Sequence, residues 1–307
     1  NEDLSVKMRG HDSRHYVVLV DGVPQSMSGV MGGGYVNWNA IPLGMVERIE
    51  ITKGAKSVAH GQTEGGIINI ITKKSANAGE LQFTAGSNDR RQYNFNYGLQ
   101  NAKLSLNMYA NKAEQDAYLR NSDYDNEQAG FNLSYELNNT DTLRVKYDHQ
   151  QLKRGLVVQN VPGSADFDSR YPATPIGDSF ANYQGKLPGD GSYTKIFRNN
   201  FNVSWNSNRT NGSDNITYWK NYEKQREHNV IGGQVIFDRY NVTDKSDGLM
   251  YKGSTKLNPK HYLGYGIDYK RLRYGYGWYN VGADKAGALY PSQKMNLLGA
   301  YVEDSWK

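Results

Sequence analysis

The side chains that could do chemistry are few and scattered. The histidines stand at positions 11, 15, 60, 149, 228 and 261. None has the HExxH spacing that places two imidazoles on one helix face around a zinc ion. His11 and His15 are four apart, but in a Gly/Asp/Ser-rich stretch that reads as solvated loop. With no cysteine, thiolate metal sites and disulfide frameworks are excluded. Asp123, Asp125 and Glu127, like Asp166 and Asp168, offer the hard oxygens that calcium takes. No EF-hand pattern surrounds them, so they read as polar loop residues. No hydrolytic constellation emerges, and the expectation is a protein without catalytic residues, resident metal or cofactor. Binding is the better prospect. Gln25–Asn39 sets Met27, Met31, Tyr35 and Trp38 among Ser26, Ser28, Gly32, Gly33 and Gly34. Gly and Ser let backbone amides approach a ligand, while Met, Tyr and Trp supply contact area. The alternative for Met27, Met31 and Trp38 is packing against a neighbouring wall.

The elements that position these residues fall into two textures. Up to about Ala76 the chain is compact, with short apolar runs such as Val17–Val20 and Ile67–Ile71 between Gly-rich turns, and a short helix or turn around Pro42 to Val46. Such runs bounded by Gly and Asp predict buried strands of a small α+β domain. From residue 77 to 307 the texture changes to long alternation. Leu143, Val145 and Tyr147 oppose Arg144, Lys146 and Asp148. Phe131, Leu133, Tyr135 and Leu137 oppose Asn132, Ser134 and Glu136, and Tyr93, Phe95, Tyr97 and Leu99 oppose Gln92, Asn94 and Asn96. Leu263, Tyr265, Ile267 and Tyr269 repeat the pattern. Each segment is a ribbon with one greasy and one strongly polar face.

A soluble sandwich also alternates, but two details favour a membrane barrel. The strands run to roughly ten residues, longer than soluble sheets commonly use. The connections alternate short (Gln100–Ala102, Asn138–Thr140, Ser207–Ser213, Asn258–Lys260) and long (Asn111–Glu127, Gln150–Lys195, Gln225–Lys245, Arg273–Gln293). Transmembrane barrels have short periplasmic turns and long outward loops. Ser87–Arg91 alone is short where a long loop would fit. Composition agrees: 24 Tyr and 33 Gly, only 37% hydrophobic residues, and no run long enough for a membrane helix. Trp205, Trp219, Tyr147, Tyr251 and Trp306 are spaced as an interfacial aromatic girdle. A net charge of +5 without a dense Lys/Arg run gives no indication of nucleic-acid binding.

The first 74 residues carry a resemblance. Arg9-Gly10, Leu19–Pro24 (LVDGVP), Ile41-Pro42, Val46–Gly54 (VERIEITKG), Gly61, Gly65-Gly66 and Ile67–Lys73 (IINIITK) occur in this order. In order and spacing they resemble the plug domain of TonB-dependent outer-membrane receptors, siderophore receptors among them. The implied fold is mainly β: a plug inside a large antiparallel transmembrane barrel of roughly 22 strands. On that reading residues 1–76 are the C-terminal part of the plug. Residues 77–307 are then the N-terminal part of the barrel, about ten strands, with the TonB-contacting segment and the remaining barrel belonging to a longer polypeptide.

The resemblance implies TonB-dependent uptake of a scarce, bulky ligand at a Gram-negative outer membrane, a ferric siderophore foremost. Cobalamin, haem or an oligosaccharide are the other substrates it allows, and a receptor for proteins is a reading of a different class. Partners would be TonB, a metal chelate and outer-membrane lipid, with the protein a monomer. Substrate would rest on the plug apex, formed by His11–His15 with Arg14 and by Met27, Met31, Tyr35 and Trp38. Barrel loops would close over it through Tyr171, Tyr183, Tyr276, Trp278 and Tyr279. Arg9 and Arg48 match plug arginines that pair with barrel glutamates and lock the plug.

Overall fold

The structure, a computed structural model, describes residues 6–11, 15–25, 36, 38, 41, 45–53, 65–73, 77–174, 188–275, 278–281, 286–288 and 293–306. The short apolar runs form a four-stranded sheet of order β2-β1-β4-β3. β1 (Tyr16–Val20) turns into β2 (Val23–Pro24) through Asp21-Gly22. Their φ values of 50° and 82° are the left-handed pair that a type I′ hairpin requires. β4 (Gly66–Thr72) runs parallel to β1 and antiparallel to β3 (Val46–Lys53). β1 and β4 are continuous apolar runs because this sheet buries them: Tyr16, Val18, Ile68 and Ile70 close the core with Met8 and Val36. Trp38, Ile41 and Val46 pack on its margin. Isolated 3₁₀ residues at Trp38 and Met45 are the helical content among the described residues, and Pro42, Leu43 and Gly44 lie outside them.

The alternating segments form a twelve-stranded antiparallel sheet. Its long strands are β5 (Ala78–Gly86), β6 (Arg90–Gln100), β7 (Leu104–Gln115), β8 (Tyr124–Glu136), β9 (Asp141–Gly155), β10 (Tyr193–Arg209), β11 (Gly212–Ile231), β12 (Gln234–Lys256), β13 (His261–Tyr274) and β16 (Gln293–Trp306). A short hairpin, β14 (Trp278–Val281) and β15 (Ala286–Ala288), branches from the outer part of β12. Each long strand pairs with its sequence neighbour, so the sheet is a meander.

One face of this sheet is apolar and exposed: Leu81, Phe83, Phe95, Leu143, Phe201, Ile216, Leu249 and Ile267. The other face buries polar groups, including Asn126, Gln128, Lys146, Gln150, Arg198, Asn200 and Asn221. That inversion of a soluble protein's habit is what a bilayer outside and a filled lumen inside demand. Amides bridge strands along the inner wall, as in Asn94 Nδ2 to Gln82 Oε1 at 3.1 Å and Gln150 Nε2 to Asn126 Oδ1 at 2.9 Å. Arg198, buried, and Glu223, partly buried, pair at 3.1 Å.

Three expectations need correction. Gln225–Lys245 is no loop: β11 and β12 remain paired up to Ile231 and Gln234, through two register shifts. Gly232-Gly233, at φ 57° and 76°, turn the chain in two residues. Among the described residues Asn111–Glu127 and Gln150–Lys195 are loops only at 116–123, 156–174 and 188–192, and the strands reach 23 residues in β12. Trp219 does not belong to an outer girdle. It is 3% exposed and lies on the lumen face, where its ring covers Gly248 directly across the ladder.

Tyr109 covers Gly130 in the same way, and a Cβ on Gly130 would stand 2.5 Å from the Tyr147 carbonyl and 2.6 Å from the Tyr109 ring. Gly130→Ala is therefore expected to destabilise the barrel by about 1–3 kcal/mol. Gly79→Ala, whose nearest neighbour is the Tyr97 ring at 3.4 Å, should be tolerated. Heat-modifiable electrophoretic mobility of the two refolded variants measures the difference.

Candidate functional site

Two regions have the geometry of a working site: the contact between plug and inner wall, and the cluster of outward loops. At the first, the Asp21 turn projects its carboxylate beyond the plug sheet. Asp21 Oδ1 accepts the Thr72 backbone amide at 2.9 Å, and Oδ2 accepts the Thr72 hydroxyl at 2.8 Å. Lys146 of β9 reaches the same Oδ2 at 3.3 Å, with its side chain 8% exposed. The contact is extended by Asn132 Nδ2 donating to Thr72 Oγ1 at 3.1 Å and by Asn221 Nδ2 donating to the Pro24 carbonyl at 3.4 Å. Beside Lys146 lies a cavity of about 20 Å³, lined by Val20, Met45, Thr72, Tyr109 and Asp148, with room for about one water. Among the described residues the plug is thus held to the wall by these polar contacts.

The loop cluster is stitched by side chains. Arg120, 9% exposed, donates through Nε and Nη2 to the Asp190 carboxylate at 2.9 and 2.6 Å, and through Nη1 to the Asp166 carbonyl. Those carboxylates raise the guanidinium's pKa, the Asp190 hydrogen bond most. Asn121, at φ 60°, donates to the Leu156 and Ser192 carbonyls at 2.7 Å each and accepts from the Gly191 amide. Asn160 is fully buried: its Nδ2 donates to the carbonyls of Asp168, Tyr171 and Pro172, and its Oδ1 accepts the Asp168 amide at 2.8 Å. The Arg170 guanidinium beside Asp168 holds that carboxyl down to about 2. The β11–β12 tip joins in, since Ser192 Oγ accepts the Val230 amide at 2.9 Å.

Of the residues expected to contact substrate, Arg14, Met27, Met31, Tyr35, Tyr183 and Tyr276 lie outside the described residues. Trp38 sits beside Tyr16, ring centroids 6.4 Å apart, packed against the plug core; its buried Nε1 has no hydrogen-bond partner among the described residues. Tyr171 stands in the stitched loop with Arg170 over its ring at 5.8 Å. Trp278 and Tyr279 fall on β14, paired with Tyr240 and Arg239 of β12. Arg9 lies in the tight turn bridging Met8 and His11, at φ 54°. Arg48 is half exposed and pairs within its own strand, with Glu47 at 3.0 Å and Glu50 at 2.8 Å. Sequence reasoning missed Asp21, Lys146, Arg120, Asn121 and Asn160. Among the described residues no group of three or more His, Asp and Glu is placed to hold a metal; Asp166 and Asp168 are engaged by Arg120 and Arg170.

The TonB-dependent receptor plug domain family matches residues 1–67, which include β1, β2 and β3 of the inner sheet. That stretch is thus matched as a TonB-dependent receptor plug domain. The chain's whole described architecture recurs in solved structures. FpvA of Pseudomonas aeruginosa bound to a heterologous pyoverdine is 16% identical with a TM-score of 0.70, over 97% of this chain and 44% of that one. The ferric-catecholate import receptor Fiu of E. coli is 15% identical with a TM-score of 0.66, over 98% and 51%. The copper transporter OprC is 14% identical with a TM-score of 0.69, over 99% and 46%. The chain thus spans about half the length of the structures it matches.

Two substitutions separate the two regions. Lys146→Met leaves Asp21 without its cationic partner and should weaken plug docking by about 1 kcal/mol, since the Asp21 side chain keeps access to water. Hydrogen exchange should then quicken in β1 and β4 while β8 and β9 stay protected. Asn160→Ala strands several loop carbonyls and the Asp168 amide at an expected local cost of about 1–3 kcal/mol. It should speed limited proteolysis between residues 161 and 173 with no change in β1 and β4.

Proposed function

We propose that this chain is the plug-and-wall portion of a receptor that takes up a metal chelate, a ferric siderophore foremost. The observation that carries the reading is the kind of contact at Asp21: among the described residues, a plug sheet seated on the lumen wall by one ion pair and a few amide bonds. A polar contact of this sort has water as an alternative partner, so its net stabilisation is small and its loss is reversible. Ligand bound at the apex would favour one of two plug arrangements, and TonB would act on the one it favours. Arg14, Met27, Met31, Tyr35 and Trp38 from the plug, with Tyr171, Tyr183, Tyr276, Trp278 and Tyr279 from the loops, form the substrate surface. Arg9 and Arg48 act as further plug–barrel anchors.

The names of the matched structures support a chelate or a metal: a pyoverdine with FpvA, a ferric catecholate with Fiu, copper with OprC. Cobalamin, haem and oligosaccharide are the competing small substrates. The full-length receptor, solubilised in detergent, is titrated by tryptophan fluorescence against ferric siderophores, a copper salt, cobalamin, haem and oligosaccharides. One ferric siderophore should quench saturably, and Arg14→Ala/Tyr35→Ala should weaken it at least tenfold while hydrogen exchange in β1 and β4 is unchanged. Saturation by another ligand class reassigns the substrate; silence toward every ligand overturns the small-molecule reading.

A further inference from the structure

The outward ends of β9, β10 and β11 carry a charge pattern on the wrong side for substrate. Lys153, Lys195 and Arg226 stand directly opposite one another across adjacent strands: Lys195 pairs with Lys153 of β9 and with Arg226 of β11. They lie on the bilayer-facing side, since Lys195 falls on the same alternation of β10 as the exposed Phe201; Lys153 and Arg226 also stand 5.3 and 5.6 Å from the Tyr193 ring. Like charges directly opposite are unfavourable in a sheet. Lys224, two residues below Arg226, adds a fourth cation, and Lys245 opposite Arg273 repeats the juxtaposition two strands further on. Neutralisation by the protein is partial. Asp238 binds Arg226 at 2.7 Å, and Asp247 binds Arg271 and Arg273. Asp125 stands opposite Lys153 in register but makes no ion pair with it within 4.0 Å. Lys153, Lys195, Lys224 and Lys245 are exposed and make no ion pair with described residues.

Position identifies the occupant. Further down the same face come Phe197 and Tyr222, then Phe201 opposite Lys220, and then Tyr218 and Leu249 of the apolar band. The cations therefore stand just above hydrocarbon on the loop side of the barrel, at the level of lipid headgroups. The rings of Tyr193 and Tyr222 lie under Lys153, Arg226 and Lys245 and hold the cationic heads out toward that layer. We propose that this wall is a docking site for a lipid of the outward leaflet whose headgroup carries more than one phosphate. The phosphates would bridge the opposed cations, and the acyl chains would lie along Phe201, Tyr218 and Leu249. A clustered basic surface beside hydrocarbon is the recognised way a membrane protein selects anionic headgroups.

The full-length receptor, delipidated in a neutral detergent, tests this with thermal unfolding and native mass spectrometry. Diphosphoryl lipid A is titrated beside its dephosphorylated form, phosphatidylcholine and inorganic phosphate. Only the diphosphorylated lipid should bind saturably and raise the Tm. Lys153→Gln/Lys195→Gln/Lys224→Gln should bind it at least tenfold more weakly. In lipid-free detergent the same variant should unfold at the native temperature or above it, because opposed charges have been removed. Lys103→Gln/Lys256→Gln/Lys260→Gln removes as much charge at the short-turn end and should bind as the native receptor does. Equal loss in both triple variants, native affinity in the first, or equal binding of inorganic phosphate overturns the proposal.

Discussion

Hydrocarbon against one face of every long strand is the constraint from which the rest of this structure follows. A side chain on that face can satisfy no hydrogen bond, so polar groups collect on the other. The inner wall is accordingly a sheet of Asn, Gln, Lys, Arg, Asp and Glu, many of them buried. Such a wall cannot be covered by an ordinary apolar domain surface without stranding donors and acceptors. What sits against it must offer polar groups in matching places. The Asp21 turn, Thr72 and the Pro24 carbonyl do this for Lys146, Asn132 and Asn221.

That match gives the LVDGVP turn two functions. Its left-handed residues reverse the chain between β1 and β2, which local stereochemistry explains fully. Its carboxylate also ties the end of β4 to β1's turn through Thr72, and the plug to the wall through Lys146. Asn in place of Asp would keep the turn and lose the charge. The functional reason for Asp is therefore the partner 125 residues away in sequence, which no local reading supplies.

Fold class was legible because period-2 alternation reports directly which face meets which solvent. Gln225–Lys245 was misread because its apolar residues come as short runs, Val230-Ile231 and Val235–Phe237, on either side of Gly232-Gly233: above the bilayer both faces are wet, so no period of two marks the strand. Trp219 was misread because aromatic residues occur on both faces of a barrel. Only its cross-strand partner, Gly248, shows that the ring lies flat on the lumen wall. The stitched loop was invisible for a third reason. Asn160 reaches main-chain carbonyls, which every residue has, so its partners leave no trace in sequence.

The length of β11 and β12 acquires a meaning from these loops. Their hairpin rises as a paired ribbon above the sheet, and other outward segments hang on it. The Gly189 amide donates to the Val230 carbonyl at 2.6 Å, and the space above Gly189 is so tight that a Cβ would lie 2.9 Å from that oxygen. On the opposite edge β14 pairs with β12 over Phe237–Tyr240. Arg120 and Asn121 then tie the β7–β8 loop to the same assembly through Asp190 and Ser192. Loops fixed in this way have lost most of their conformational entropy before any ligand arrives, so less is lost on binding. Among the described residues the outward segments are therefore tied to one another more firmly than the plug is tied to the wall, where the polar contacts can exchange for water.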